Sequence, residues 1–383
     1  MPPSRHSSNN KLNLRTTDAQ RRANRYHGRM DVRFATDPVS WDAFLLSQQF
    51  RPFLQSWSMG EVYRDIGQEP LRLEVRESDR TIGICAAHIV PARRGRHLSV
   101  PYGPVVASAQ ALPPLLSALE EMARTHRCAF VRFSPFWPSS SPLSEEVLPS
   151  TIASPLHLLA EHLWYLPLQS SDPWDPMLGP REERTDTRKS EEELLAGMRS
   201  TARNLIRRAQ KEGVTVTRSD DPVADLTHFL ALHEETRKRH HFTPYSTSFF
   251  RAQVSTFAPQ GNVALYLAHY KGEVISASIH MLFGGETSYH HGASTLKYRN
   301  IPSNYLLQWT AIRDALSRGD GIYNFWGISP EGVTRHPFSG VRTFKTAFGG
   351  TLLELTHCRD LPLSPLYRLT RAVETWRKWR RGF

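Results

Sequence analysis

The sequence predicts a mixed α/β protein in two domains, and three observations carry that expectation. At 383 residues the chain exceeds one ordinary domain, and two of ~150–200 residues are the natural division. A content of 39% hydrophobic and 10% aromatic residues suffices for packed cores. Short apolar runs of strand length alternate with segments of helical period in both halves, the pattern of layered α/β architectures.

Residues 1–30 are polar and basic, with scarcely an apolar group to bury, so a disordered tail is expected. The first domain, residues 31–184, opens with helical segments at 41–49, N-capped by Ser40, and in FLQSWSMGEVYRDIG, stopped by Gly67. Residues 71–77 and 80–90 read as a hairpin about Asp79, and 98–107 as a further strand. Residues 113–124 are amphipathic through Leu115, Leu116, Leu119 and Met122, and 128–133 form a short buried strand. Residues 158–168 add a late strand. Antiparallel strands, a helix and one more strand follow the acetyltransferase-like order.

Residues 170–189, rich in Ser, Asp, Pro, Arg and Glu, read as a linker to the second domain, 185–363. Ser190 and Glu193 form a capping box, and Leu194, Met198, Ala202, Leu205 and Ala209 make an apolar stripe ending at Gly213. Arg199, Arg203, Arg207 and Lys211 recur every fourth residue and repel one another in isolation. An anion lying along them, such as a tRNA acceptor stem or a diphosphate, explains the stripe; a solvated face balanced by distant acids is the alternative. Asp221-Pro222 begins another helix, and Ser246 caps the next. Residues 262–270, 273–283 and 287–293 form a meander. A helix with Tyr305, Trp309, Ile312 and Leu316 on one face then leads to a buried strand at 322–328. The last helix, residues 364–383, sets Leu366, Leu369, Val373, Trp376 and Trp379 among arginines. It fits an anionic bilayer or simple docking on its own domain.

Lys and Arg outnumber Asp and Glu, 48 to 37, a net charge of +11 that suits an anionic partner. Cys85, Cys128 and Cys358 lie far apart without a CxxC pair, so they are expected as free thiols of a reducing compartment. No run approaches 18 apolar residues, and the start lacks an apolar signal core. A cytoplasmic protein, peripheral to a membrane at most, is expected. Metal chemistry is disfavoured because His240-His241 and His290-His291 are adjacent pairs, and strand neighbours point to opposite faces. Neither a GxxxxGK phosphate loop nor a GxSxG elbow occurs.

The segments LLAGMRSTARNLIRRAQKEGV, SYHHGAS, RGDGIYNFWGIS and FKTAFGG, in that order, resemble the second half of the peptidoglycan interpeptide-bridge aminoacyltransferases, the Fem family. FLQSWSMGEV is similar to that family's entry helix, and the likeness is densest from 190 to 356. The resemblance implies two tandem acetyltransferase-like (GNAT) domains, here without a long coiled-coil arm. It also implies transfer of an amino acid from aminoacyl-tRNA to an amine of a peptidoglycan precursor, with no cofactor. Lys345 then stabilises the tetrahedral intermediate and Phe344 orients it. Tyr245 and Phe249 fall where nucleotide-sugar-binding members carry an arginine and a tyrosine. Glu61 falls near a lysine of those members, and His291 near a tyrosine just after Tyr289. These five positions are the substrate-binding candidates, and the departures favour a lipid-linked over a soluble precursor. Two other classes remain open: an acyl-CoA N-acyltransferase, for which Gln210–Thr215 is a poor glycine-rich turn, and a non-enzymatic RNA- or membrane-binding protein.

Overall fold

The computed structural model describes residues 30–92, 95–143, 150–175, 187–240, 245–332 and 339–381. The expected tail apart from Met30, most of the 170–189 linker, and His241, Phe242 and Pro337 lie outside the described residues.

Along the first half run β1 (Met30–Phe34), α1 (Pro38–Ser47), α2 (Trp57–Asp65), β2 (Pro70–Glu77), β3 (Arg80–Val90), β4 (His97–Pro101), β5 (Val105–Val106), α3 (Leu112–Thr125), β6 (Phe130–Ser134), β7 (Ile152–Ala153) and β8 (His162–Pro167). The second half runs α4 (Glu191–Gly197), α5 (Ser200–Lys211), β9 (Thr215–Arg218), α6 (Leu226–His240), α7 (Thr247–Phe257), β10 (Val263–Tyr270), β11 (Glu273–Phe283), β12 (Glu286–Ser294), α8 (Ser303–Arg318), β13 (Ile322–Gly327), α9 (Ser339–Thr346), β14 (Thr351–Glu354), β15 (Arg359–Pro362) and α10 (Leu366–Arg381).

Two mixed sheets result, ordered β1-β2-β3-β4-β6-β15-β7, with β5 on β3, and β9-β10-β11-β12-β13-β8-β14. The halves repeat one plan. A strand leads into two helices, three antiparallel strands follow, and a crossover helix returns the chain to a strand parallel with the last. The repeats also exchange strands: β8 sits between β13 and β14, and β15 between β6 and β7. The late strand expected to finish the first unit therefore completes the second sheet. Its apolar pattern marks burial, with Leu163 and Leu166 on opposite faces both covered, but carries nothing about its partner.

The halves share a core in which Phe53, Tyr102 and Phe136 meet Phe257, Ile279 and Ile322. The equivalent helices α2 and α7 pack against each other there.

Local chemistry moved some boundaries. The first helix is capped by Asp37, whose carboxylate accepts from Val39 N and Ser40 N, and Pro38 occupies a position that needs no donor. The capping box of Ser190 and Glu193 forms as expected. The single helix expected to follow it breaks at Met198-Arg199. There Arg203 Nη1 takes up the carbonyls of Leu195 and Met198, and Arg199 N donates to Ala347 O at 2.9 Å. Leu194, Met198, Ala202 and Ala209 of the apolar stripe are buried as expected, but Ile206 takes the buried place expected of Leu205, which is half-buried. All three cysteines are free and buried.

Candidate active site

β12 and β13 lie side by side in parallel only from Glu286 with Ile322 to Ser288 with Asn324, and then part. The side chains around this parting form one connected construction. Asn324 donates to the carboxylate of Glu286 at 2.8 Å, and its own carbonyl accepts Trp326 N at 2.8 Å. Ser288 also donates to Glu286, while burial pushes that carboxyl upward from its ordinary pKa. Trp326 is held at φ +67°, a left-handed backbone a tryptophan adopts only when its surroundings impose it. The next residue, Gly327, turns its carbonyl to Lys345 Nζ at 2.7 Å.

Lys345 is 7% exposed. Its ammonium lies 5.5 Å from the centre of the Tyr289 ring, and no carboxylate pairs with it among the described residues. Burial alone lowers its pKa to about 7. Phe344 packs on Tyr305 and Phe348, with ring centres 5.0 and 5.5 Å away, and so fixes α9 to α8. The lysine and its neighbour thus divide the work: one presents charge and the other anchors the helix end.

On β12 a bulge makes His290 an extra residue, since His280 faces Tyr289 and Ile279 faces His291. The expectation that the histidine pair points to opposite faces fails for this reason. Both rings lie on the side toward the first half, 4.0 Å apart, and Tyr289 takes the other side. His290 packs on Phe53 and Trp326, with centres 5.1 and 4.8 Å away, and neither of its nitrogens has a partner among the described residues. Burial, then the Lys345 charge, lowers its pKa to about 3; burial, then His290, holds His291 well below its ordinary value. Both imidazoles are neutral near pH 7. Among the described residues no group of three or more His, Cys, Asp or Glu could hold a metal.

The structure brings Tyr245, Phe249 and His291 together. Tyr245 stacks on Phe249 at 4.3 Å and meets His291 edge-on at 5.5 Å. Tyr289 lies beneath Lys345 instead. Glu61 is elsewhere, paired with Arg64 and with Arg72, at 2.6 Å for the latter. Of the basic stripe, Arg203 is spent on the end of α4, while Arg199, Arg207 and Lys211 are exposed along α5.

Sequence reasoning missed Glu286, Asn324 and Trp326. The available signal was Asn324 itself, one amide inside an apolar strand, which a buried strand tolerates only with partners.

This arrangement can be set against known proteins. Residues 36–273 and 266–375 match the FemAB family. The chain belongs to that family. It is 29% identical over 105 residues to aminoacyltransferase FemA of Staphylococcus epidermidis, covering 27% of this chain and 25% of that protein. It is 30% identical over 112 residues to lipid II:glycine glycyltransferase of Staphylococcus aureus, covering 29% and 27%. The match therefore spans roughly a quarter of the length of these curated relatives. A crystal structure of FemX superposes with a TM-score of 0.73 at 19% identity, over 89% of this chain and 100% of that one. A tandem GNAT protein from the clavulanic acid biosynthesis pathway superposes at 0.52 and 13%, over 88% and 98%. Two tandem GNAT-like units, with no coiled-coil arm among the described residues, are thus the fold of this FemAB family member.

Proposed function

We propose that this FemAB family member transfers an aminoacyl group from aminoacyl-tRNA to an amine of a peptidoglycan precursor's stem peptide, building the cell-wall cross-bridge. The observation that carries this reading is Lys345, a buried ammonium at the parting of the parallel strands with no carboxylate on it among the described residues. Two relatives support the reaction class by name, one an aminoacyltransferase and the other a glycyltransferase to lipid II:glycine. No glycine occurs between Ala293 and Ser303, where β12 turns into the crossover helix, so a CoA pyrophosphate would find no glycine-rich cradle there.

In this reaction the acceptor's neutral amine attacks the ester carbonyl, and negative charge develops on the carbonyl oxygen. Gly327 O holds one hydrogen of the Lys345 ammonium, which leaves two to meet that oxygen. With its pKa near 7 in the free protein, the ammonium is a strong donor, and the developing oxyanion strengthens its hold on the proton. The C–O bond to the ribose then breaks, and the amine's proton passes to the leaving hydroxyl. The aromatic group of Tyr245, Phe249 and His291 offers a surface for the acceptor. Exposed Arg199, Arg207 and Lys211 offer phosphate contacts for the donor.

The test is to incubate the protein with charged tRNA and either lipid-linked or nucleotide-linked pentapeptide, and to read product masses. Addition of one aminoacyl mass by wild type, lost in Lys345→Met, is expected. Transfer undiminished in Lys345→Met, or transfer from acyl-CoA in place of tRNA, overturns the reading.

A further inference from the structure

A helix docked on its own domain turns its apolar face inward; α10 does the reverse. Toward the first sheet it turns polar groups. The Tyr367 hydroxyl donates to Asp360 Oδ2 at 2.8 Å, Glu374 meets Arg132 at 2.7 Å, and Arg371 donates to Ala153 O at 2.7 Å. On the other side Leu366, Leu369, Trp376 and Trp379 are 45%, 55%, 52% and 79% exposed. At ~100° of rotation per residue these four fall in one stripe. Exposed Arg368 and Arg377 border the stripe, and the Arg380 guanidinium lies 5.0 Å from the centre of the Trp376 ring.

We propose that this outward face seats the protein on an anionic lipid bilayer. Charge complementarity selects that occupant. A second copy of the helix would bring the cations of both faces together, and like charges in contact oppose association. A bilayer of anionic headgroups answers both features at once: the tryptophans settle at the headgroup level and the leucines below it, while the arginines reach back to phosphate. The net charge of +11 adds longer-range attraction to such a surface. The docked side explains why the helix holds this pose without lipid, since its ion pair and hydrogen bonds fix its roll about its own axis. Among the described residues no helix is long and apolar enough to cross a membrane, so seating on the surface is the mode that α10 allows.

The full chain is sedimented with vesicles of phosphatidylcholine alone and with vesicles of phosphatidylcholine and phosphatidylglycerol in equal parts. Binding to the second and not the first, reversed by high salt, is the expected result. The double variant Trp376→Ser, Trp379→Ser should retain the far-ultraviolet dichroism of wild type yet partition about tenfold more weakly or worse. Arg368→Glu with Arg377→Glu should weaken it without altering the apolar stripe. Absence of binding to the anionic vesicles at low salt, equal partitioning by the tryptophan variant, or a dimer that the same variant dissolves each overturns the proposal. Binding is read without turnover, so its failure and a failure of the transfer reading are separate results.

Discussion

In the first sheet the parallel strands β4 and β6 stay paired from Leu98 with Val131 to Pro101 with Ser134, the last residue of each. In the second, β12 and β13 part after three pairs, although β12 continues to Ser294. The charges follow the same contrast. Arg132 on β6 meets Asp360 at 2.7 Å and Glu374 at 2.7 Å. Lys345, beyond β13, has a backbone carbonyl and, among the described residues, no acid. One plan, used twice, thus gives a closed unit whose buried charge is satisfied internally, and a second whose buried Lys345 meets only a backbone carbonyl among the described residues. On the transfer reading proposed above, the lack of a neutralising acid, rather than the fold, is what sets Lys345 apart from the structural Arg132.

Asp360→Ala strips the closed unit's arginine of its fully buried partner, and a loss of ~3–5 kcal/mol in urea unfolding is expected. A loss below ~1 kcal/mol would show that the network contributes little to the closed unit. Lys345→Met should do the opposite: transfer falls by ~10²–10³-fold while the fold is not weakened. The pH dependence has a definite sign. The folded pKa is lowered to about 7 and the unfolded chain's is the ordinary 10.5. Between those values the unfolded state therefore binds more protons, and wild-type stability rises with pH. Lys345→Met should be the more stable protein below pH 7, and its advantage should shrink as pH climbs toward 10.5. A constant difference across that window in urea titrations would mean the lysine is not desolvated.

Asn324→Ala removes the anchor of the left-handed Trp326 and leaves Glu286 short of a donor. It should cost ~1–3 kcal/mol in stability. It should also lower kcat more than it raises KM, because the Gly327 carbonyl no longer aims the ammonium. An unchanged kcat would make the asparagine a packing residue only. Smallest of all, Arg207→Ala and Lys211→Ala should each reduce the salt slope of RNA affinity by about one. Arg203→Ala should lower stability instead, since that side chain is committed to α4.

Much of this was written locally in the sequence. The runs around Val263, Ile279 and Phe325 are apolar enough to declare strands, and the Ser190 and Glu193 box marked a helix start. FKTAFGG marks Lys345 as a candidate without disclosing its burial. Features that depend on distant partners were not legible. Leu163 and Leu166 announce a strand but not the sheet it joins. One inserted residue at His290 reverses a facing rule that regular strands obey. Trp376 and Trp379 have the spacing of a packed face, and only the contacts of Tyr367 and Glu374 reveal which side the protein uses.

The reciprocal placement of β8 and β15 also bears on how the molecule is made. During synthesis the leading sheet must wait for residues 359–362, made long after β6, before its row of hydrogen bonds can continue from β6 through β15 to β7. Neither repeat produced on its own would possess every strand of its sheet. Closing both sheets therefore needs pairings between segments far apart in the sequence, which slows folding. An evolving lineage could not easily shed one repeat and keep the other.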